Sequence, residues 1–310
     1  MLASIAASAQ PHFPTRTVTL TVGFAPGGGT DTAARIIARK LTDMIGQAVV
    51  VENRAGASGN IAAQHISAAQ PDGYTIHLAA VGSLAVAPYI VKDLPYDPRK
   101  DIAPITMGVV FPNVFVVSPG VPVKTLAEFV ALAKQKPGEL TCGSSGVGGA
   151  GHLAIELFKQ RAGINVIHVP YKGGGPAMTD ILGGRLTMYV GVPSTVLPHV
   201  EAGKLVALAT TGPKRTALMP NVPTVAESGF PEFEAMNWYA FVAPAKTPRD
   251  IIDFWNREIV KALKDPQVAA DLSKNGLDPA PSTPQELARY IERENEKWSK
   301  VIRDAKITAD

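Results

Sequence analysis

Three consecutive glycines, Gly27, Gly28 and Gly29, stand where an apolar run gives way to a helical pattern. Residues 17–24 are apolar and β-branched, the composition of a buried strand. From Thr30 the apolar residues take helical spacing, with Ala33, Ile37, Leu41 and Met44/Ile45 on one stripe. A strand, a glycine turn and a helix start aim free backbone N–H groups and the positive end of a helix dipole at whatever lies over the turn. Small carboxylates and phosphates are the natural guests. Asp31 sits in the first helical turn, four residues before Arg35, an ordinary i,i+4 pair. Its carboxylate would oppose an anion but could accept a bond from a hydroxyl or amine on a ligand.

A second glycine turn, GVGGAG at residues 146–151, follows the strand-like LTCGSS at 140–145. Its spacing Gly146-x-Gly148-x-x-Gly151 meets the dinucleotide fingerprint formally. That reading requires an acidic residue at the end of the next strand; INVIHV is followed by Pro170, so a dinucleotide is excluded and no cofactor is expected. Cys142, Ser144, Ser145 and His152 raise a nucleophile reading, but no G-x-S-x-G elbow accompanies them. A structural cysteine and a helix-start histidine explain them. The other histidines are dispersed, with His77 and His168 inside strands as core residues, and no His/Asp/Glu set has metal-ligand spacing. One cysteine rules out an intramolecular disulfide and a cysteine-based zinc site.

These turns need a scaffold, and the composition supplies one. Hydrophobic residues make up 46% of the 310 and charged residues 18%, with 28 Gly and 26 Pro, which is a globular α/β composition. Net charge is +3 and the 30 Lys and Arg are scattered, so nucleic acid is not a partner. No segment reaches the roughly 18 consecutive apolar residues of a membrane span. Residues 1–10, MLASIAASAQ, end in an A-x-A pattern (Ala7-Ser8-Ala9) and read as the tail of a secretory signal, which implies a periplasmic location.

Strand, helix and turn patterns then alternate. AVVVE at 48–52 is a second strand, 53–60 a loop, 61–69 a helix and YTIHLAA at 74–80 a third strand, with Ser83 just beyond it. Such alternation means βαβ units and a mostly parallel sheet, whose ligands bind off the carboxyl ends of strands. The first glycine turn and Ser83 therefore share a rim. Two later stretches echo each other: residues 114–132 and 239–260 each read strand, Pro-bounded turn, amphipathic helix. Taken as crossings between two lobes, they put residues 14–117 and 245–310 in lobe one and 118–244 in lobe two. Lobe two repeats the opening device at 143–158 and again at PYKGGGP (170–176).

FAPGGGTDTAAR (24–35) resembles the first-loop signature of the tripartite tricarboxylate transporter receptors, the Bug or TctC-like family. PDGYTIHLA (71–79), YDPRKDIAPI (96–105), GSSGVGGAGHLAIELF (143–158), VPYKGGGPAMTDILGG (169–184) and 220–248 resemble its later blocks in order. The resemblance implies a two-lobe Venus-flytrap receptor, a monomer, which hands an organic acid to a membrane transporter without catalysis. A ligand carboxylate would sit between Phe24, Ala25, Pro26, Gly27, Gly28, Gly29, Thr30 and Asp31 on one side and Ser144, Ser145, Gly148 and Gly149 on the other. Ser83, Tyr171 and Ser194 would flank it. Without an arginine in these loops, backbone amides, hydroxyls and bridging waters must carry the charge. The chain departs from the family pattern at Val147, Gly149 and Gly151, where polar or hydroxyl residues are usual. That departure points to a ligand bulkier or less polar than a simple C4 diacid, aromatic acids included. A ligand-presenting partner of a sensor kinase and a hydrolase using the second glycine loop are the alternative functions.

Overall fold

The computed structural model describes residues 13–309, so the A-x-A segment at 1–10 lies outside the described residues. The chain opens β1 (Val18–Val22), α1 (Gly29–Ile45), β2 (Val49–Asn53), α2 (Asn60–Ser67) and β3 (Thr75–Ala80). A π-helical turn at Gly82–Val86 leads through the short α3 (Ala87–Ile90) to β4 (Ile102–Pro112). The second lobe runs β5 (Val114–Val117), α4 (Leu126–Gln135), β6 (Thr141–Ser144), α5 (Ala150–Ala162), β7 (Ile167–Pro170), α6 (Gly174–Leu182), β8 (Met188–Gly191), α7 (Pro193–Glu201) and β9 (Val206–Thr210). The chain returns through β10 (Met236–Pro244), α8 (Arg249–Leu263), α9 (Pro266–Ser273), β11 (Asp278–Pro279) and α10 (Pro284–Ala305).

Two sheets result. The first has the order β11-β4-β10-β3-β1-β2 and the second β7-β6-β8-β5-β9. β1 pairs in parallel with β2 and β3, while β10 runs antiparallel between β3 and β4. Val18, Leu20, Thr21 and Val22 are all buried, as expected of a strand covered on both faces. α1 closes at Gly46, whose φ of 69° lets its N–H reach the Thr42 carbonyl, the left-handed stop that the glycine there predicts.

β5 pairs within the second sheet and β10 within the first. By pairing, the chain changes sheets at Asn113 and ahead of Met236. A polar knot marks the spot. The Asn113 N–H donates to Thr211 Oγ1 (2.8 Å), and Thr211 Oγ1 donates to the Ala235 carbonyl (2.7 Å).

One apolar cluster runs through both lobes, joining Phe115 and Phe158 to Trp238 and Trp298. α10 is the reason, because it packs on the π-helical turn of the first lobe and on α5 of the second. Within it, Glu294 Oε2 accepts both buried indole N–H groups, Trp238 Nε1 and Trp298 Nε1, each at 2.9 Å.

Candidate functional site

Four helices begin at the cleft between the lobes. Gly28 and Gly29 at the head of α1, Gly149 and Ala150 at α5, Gly174 at α6, and Gly191 and Val192 before α7 all line one cavity. None of these four helices has a side-chain cap, nor have α2, α3 and α8, whereas Thr125, Asp265 and Thr283 cap α4, α9 and α10. The first N–H groups of a helix have no intrahelical acceptor and need one from outside. Four uncapped N-termini around one cavity therefore leave donors and positive dipole ends for an anion. No Lys, Arg or His is among the residues lining it. The space is tight: water can occupy about 30 Å³ of it.

Of the residues expected from sequence, Phe24, Gly28, Gly29, Thr30, Ser145 and Gly149 line the cavity. Ala25 and Pro26 sit on the outer side of the same loop, with their backbone against Gly173 and Gly175 of the second lobe. Gly27, at φ 80°, turns its N–H to Asp31 Oδ2 (3.1 Å). Asp31 is fully engaged within its own lobe: Arg35 Nε donates to both carboxylate oxygens (3.0 Å) and Asn53 Nδ2 to one (2.9 Å). Burial alone would raise its pKa, but the bonds from Arg35, the Gly27 N–H and Asn53 outweigh it and hold the carboxyl below its usual range. Asp31 thus stiffens the first loop.

Ser83 is buried in the π-helical turn, where its Oγ donates to the Ala80 carbonyl (3.2 Å); Ala80 itself lines the cavity. Gly148 packs against Ile90 and Val86 of the other lobe. Tyr171 lines a separate outer cavity and donates to Asp180 Oδ2 (2.6 Å). Ser194 Oγ is buried without a partner, 3.2 Å from where a Cβ on Gly29 would stand. Gly151 lines the cavity but offers no spare volume, since a Cβ there would lie 2.7 Å from the Val190 carbonyl oxygen. The missing side chain answers a close strand approach, and only Gly149 leaves ordinary contact distances.

Sequence reasoning missed several lining residues, among them Asn113, Asn237, Tyr189 and Tyr239. The two asparagines did leave a trace, each a lone amide inside an apolar crossing strand, FPNVFVV and AMNWYAF. Ser58 was also missed. Its Oγ donates across the cleft to the Val147 carbonyl (2.5 Å), from a loop in which residues 56–59 all have positive φ. Ser58 and Val147 both line the outer cavity, with Tyr171 and Lys172.

Behind the second glycine turn, Ser144 Oγ lies 2.7 Å from His168 Nε2, and His152 stacks on His168 at 3.7 Å. The Gly148 N–H donates to His152 Nδ1 (3.0 Å). Burial, with His152 adjacent, pushes His168 down to about 3, and Ser144 is buried off the cavity wall. Cys142 is buried too, its thiol pushed up by that burial. Among the described residues no His/Cys/Asp/Glu group could hold a metal ion, and no helix is long and apolar enough to cross a membrane.

His77 is pushed down to about 4 by burial, partly offset by its bond to the Thr21 carbonyl. In the unfolded chain both histidines titrate near 6.5. Between 6.5 and their folded values the unfolded state alone takes up the protons, so stability falls as pH falls. Denaturant unfolding is therefore expected to show full stability above about pH 7 and a loss of several kcal/mol by about pH 4. His77→Gln and His168→Gln should each flatten that slope; a stability constant between pH 7 and 5 would contradict this.

The family description "Tripartite tricarboxylate transporter family receptor" (TctC) matches residues 33–307. BugT of Bordetella pertussis is 38% identical over 293 residues, spanning 94% of this chain and 90% of that protein. An R. palustris structure with adipate superposes with a TM-score of 0.93 at 36% identity, covering 96% of this chain and 99% of that one. MatC from Rhodopseudomonas palustris with bound malate gives 0.89 at 30% identity, over 94% and 100% of the two chains. The two-lobe α/β fold, the paired glycine turns and these matches agree: the chain belongs to the TctC/Bug family of tripartite tricarboxylate transporter receptors.

Proposed function

We propose that this protein is a periplasmic receptor that captures a small organic carboxylate in the cleft and delivers it to the membrane subunits of a tripartite tricarboxylate-type transporter. The observation that carries this reading is the meeting of four uncapped helix N-termini on one small cavity without a cationic side chain. Backbone N–H groups bonded to an ionised carboxylate contribute about 1.5–3 kcal/mol each. The relatives with adipate and malate are consistent with such a ligand. Of the three departures that suggest a larger or aromatic ligand, Gly151 is closed off by the Val190 backbone and Val147 lines the outer cavity, which leaves Gly149 on the inner one. We assign Phe24, Gly28, Gly29, Thr30, Ser145 and Gly149, with Ser194, to ligand contact, the lobes to 14–117 with 245–310 and to 118–244, and the protein to a monomer without cofactor.

Thermal unfolding of ligand-free protein against di- and tricarboxylates, aromatic acids and amino acids tests the reading. A ligand at 100 times its Kd adds about 2.7 kcal/mol, a rise of roughly 4 °C or more in a chain of this size. One acid class is expected to give that rise, and no shift with any acid would overturn the assignment. The contact between Ser144 and His168 favours a second reading, a hydrolase. Ester turnover lost in Ser144→Ala would be its signature; the burial of Ser144 and the depressed His168 weigh against it.

A further inference from the structure

We propose that His152 is a positioning residue for ligand capture: its Nδ1 seats the second glycine turn from within the second lobe, so that Val147 and Gly148 meet the first lobe when the cleft closes. This inference rests on the carboxylate reading above and adds the side chain that holds one wall of the cleft.

α5 has no side-chain cap at Gly149, and its third residue, His152, reaches back past the helix start instead. The Gly148 N–H donates to His152 Nδ1 (3.0 Å), which leaves the ring proton on Nε2. The neighbours fix the ring in that state. Nε2 faces Glu156 Oε1 at 3.6 Å, and Glu156 is held in turn by Lys159 Nζ (2.8 Å). The flat side of the ring stacks on His168 of β7, with centroids 3.7 Å apart and planes 7° from parallel. His168 Nε2 is itself 2.7 Å from Ser144 Oγ. The arrangement specifies an acceptor aimed at one backbone N–H, which a ring that only fills space would not need.

That N–H belongs to a residue pressed against the opposite lobe. A Cβ on Gly148 would collide with Ile90 Cδ1 and lie 3.1 Å from Val86 Cγ1, and the Gly148 carbonyl oxygen is 3.3 Å from where a Cβ on Gly82 would stand. Beside it, the Val147 carbonyl accepts from Ser58 Oγ across the cleft (2.5 Å), and Gly149 lines the inner cavity. Closure therefore buries the Gly148 N–H. With His152 in place the donor is paired whether the lobes are apart or together. Without an acceptor it is hydrated while they are apart and unpaired once they meet, so the desolvation cost falls on closure and hence on affinity.

Calorimetric titration of ligand-free protein with malate, adipate, citrate and benzoate tests the proposal on the acid that binds most tightly. His152→Phe keeps a ring against His168 but removes the acceptor. His152→Asn gives up the ring but keeps an acceptor oxygen at the position of Nδ1. His152→Gln carries its oxygen one atom farther out, and it replaces the Phe variant if that one does not fold. Binding is expected to weaken on the order of tenfold or more in His152→Phe and His152→Gln, and to return to within about threefold of wild type in His152→Asn. The unfolding temperature of each ligand-free variant is measured alongside. A residue that only fills space gives the opposite order, with Phe mild and Asn severe. That order, equal losses in all three variants, or unchanged affinity throughout would overturn the proposal. Failure of the wild type to bind any of the four acids would overturn the carboxylate reading itself, and this inference with it.

Discussion

Gly29→Ala is expected to remove ligand capture, weakening carboxylate binding on the order of 100-fold, while the unfolding temperature of the ligand-free protein falls by only a few degrees through the contact with Tyr239. A Cβ at this position would lie 2.7 Å from Val192 Cγ2, 2.9 Å from Tyr239 Oη and 3.2 Å from Ser194 Oγ. Val192 and Ser194 come from the opposite lobe, and Tyr239 is a buried ring with little freedom to retreat. Gly29 is also the first residue of α1, where alanine is a favourable helix former. The added methyl therefore strains the first lobe at Tyr239 and keeps the second lobe from closing over the head of the helix. Titration with the preferred acid decides it, and an affinity within threefold of wild type would show that the second lobe yields at Val192.

The largest stability effect is expected at Glu294, which is buried on α10. Trp238 and Trp298 are fully buried, and one carboxylate oxygen serves both indoles. Glu294→Leu leaves two buried donors without an acceptor, at about 1–3 kcal/mol each. Removal of a buried charge offsets part of that. A net loss of about 2–4 kcal/mol corresponds to a fall in unfolding temperature of roughly 5–10 °C. Glu294→Gln retains an acceptor oxygen and should lose less. Trp238 follows Asn237 in the chain, so loosening α10 should also weaken ligand binding. Thermal unfolding of the two variants checks the order, and a loss below 2 °C in Glu294→Leu would mean that water reaches the indoles.

The residue types by themselves determined the local devices of this protein. Three glycines between a β-branched run and an amphipathic stripe specify a turn and an open helix start, because only local backbone freedom and periodicity are involved. The stop at Gly46 and the strand–helix alternation behind the two-lobe fold follow in the same way. Tertiary structure alone decided which groups face the cavity. Asn113 and Asn237 stand 124 residues apart and meet only because β4 and β10 pair, with Phe111 opposite Asn237. Ser144 finds His168 through the parallel pairing of β6 and β7, which aligns it opposite Pro170. Gly151 looked like added room for a ligand and is instead occupied by the Val190 backbone. Such contacts depend on how sheets are ordered and where the chain changes sheet, and no local preference of a residue encodes that.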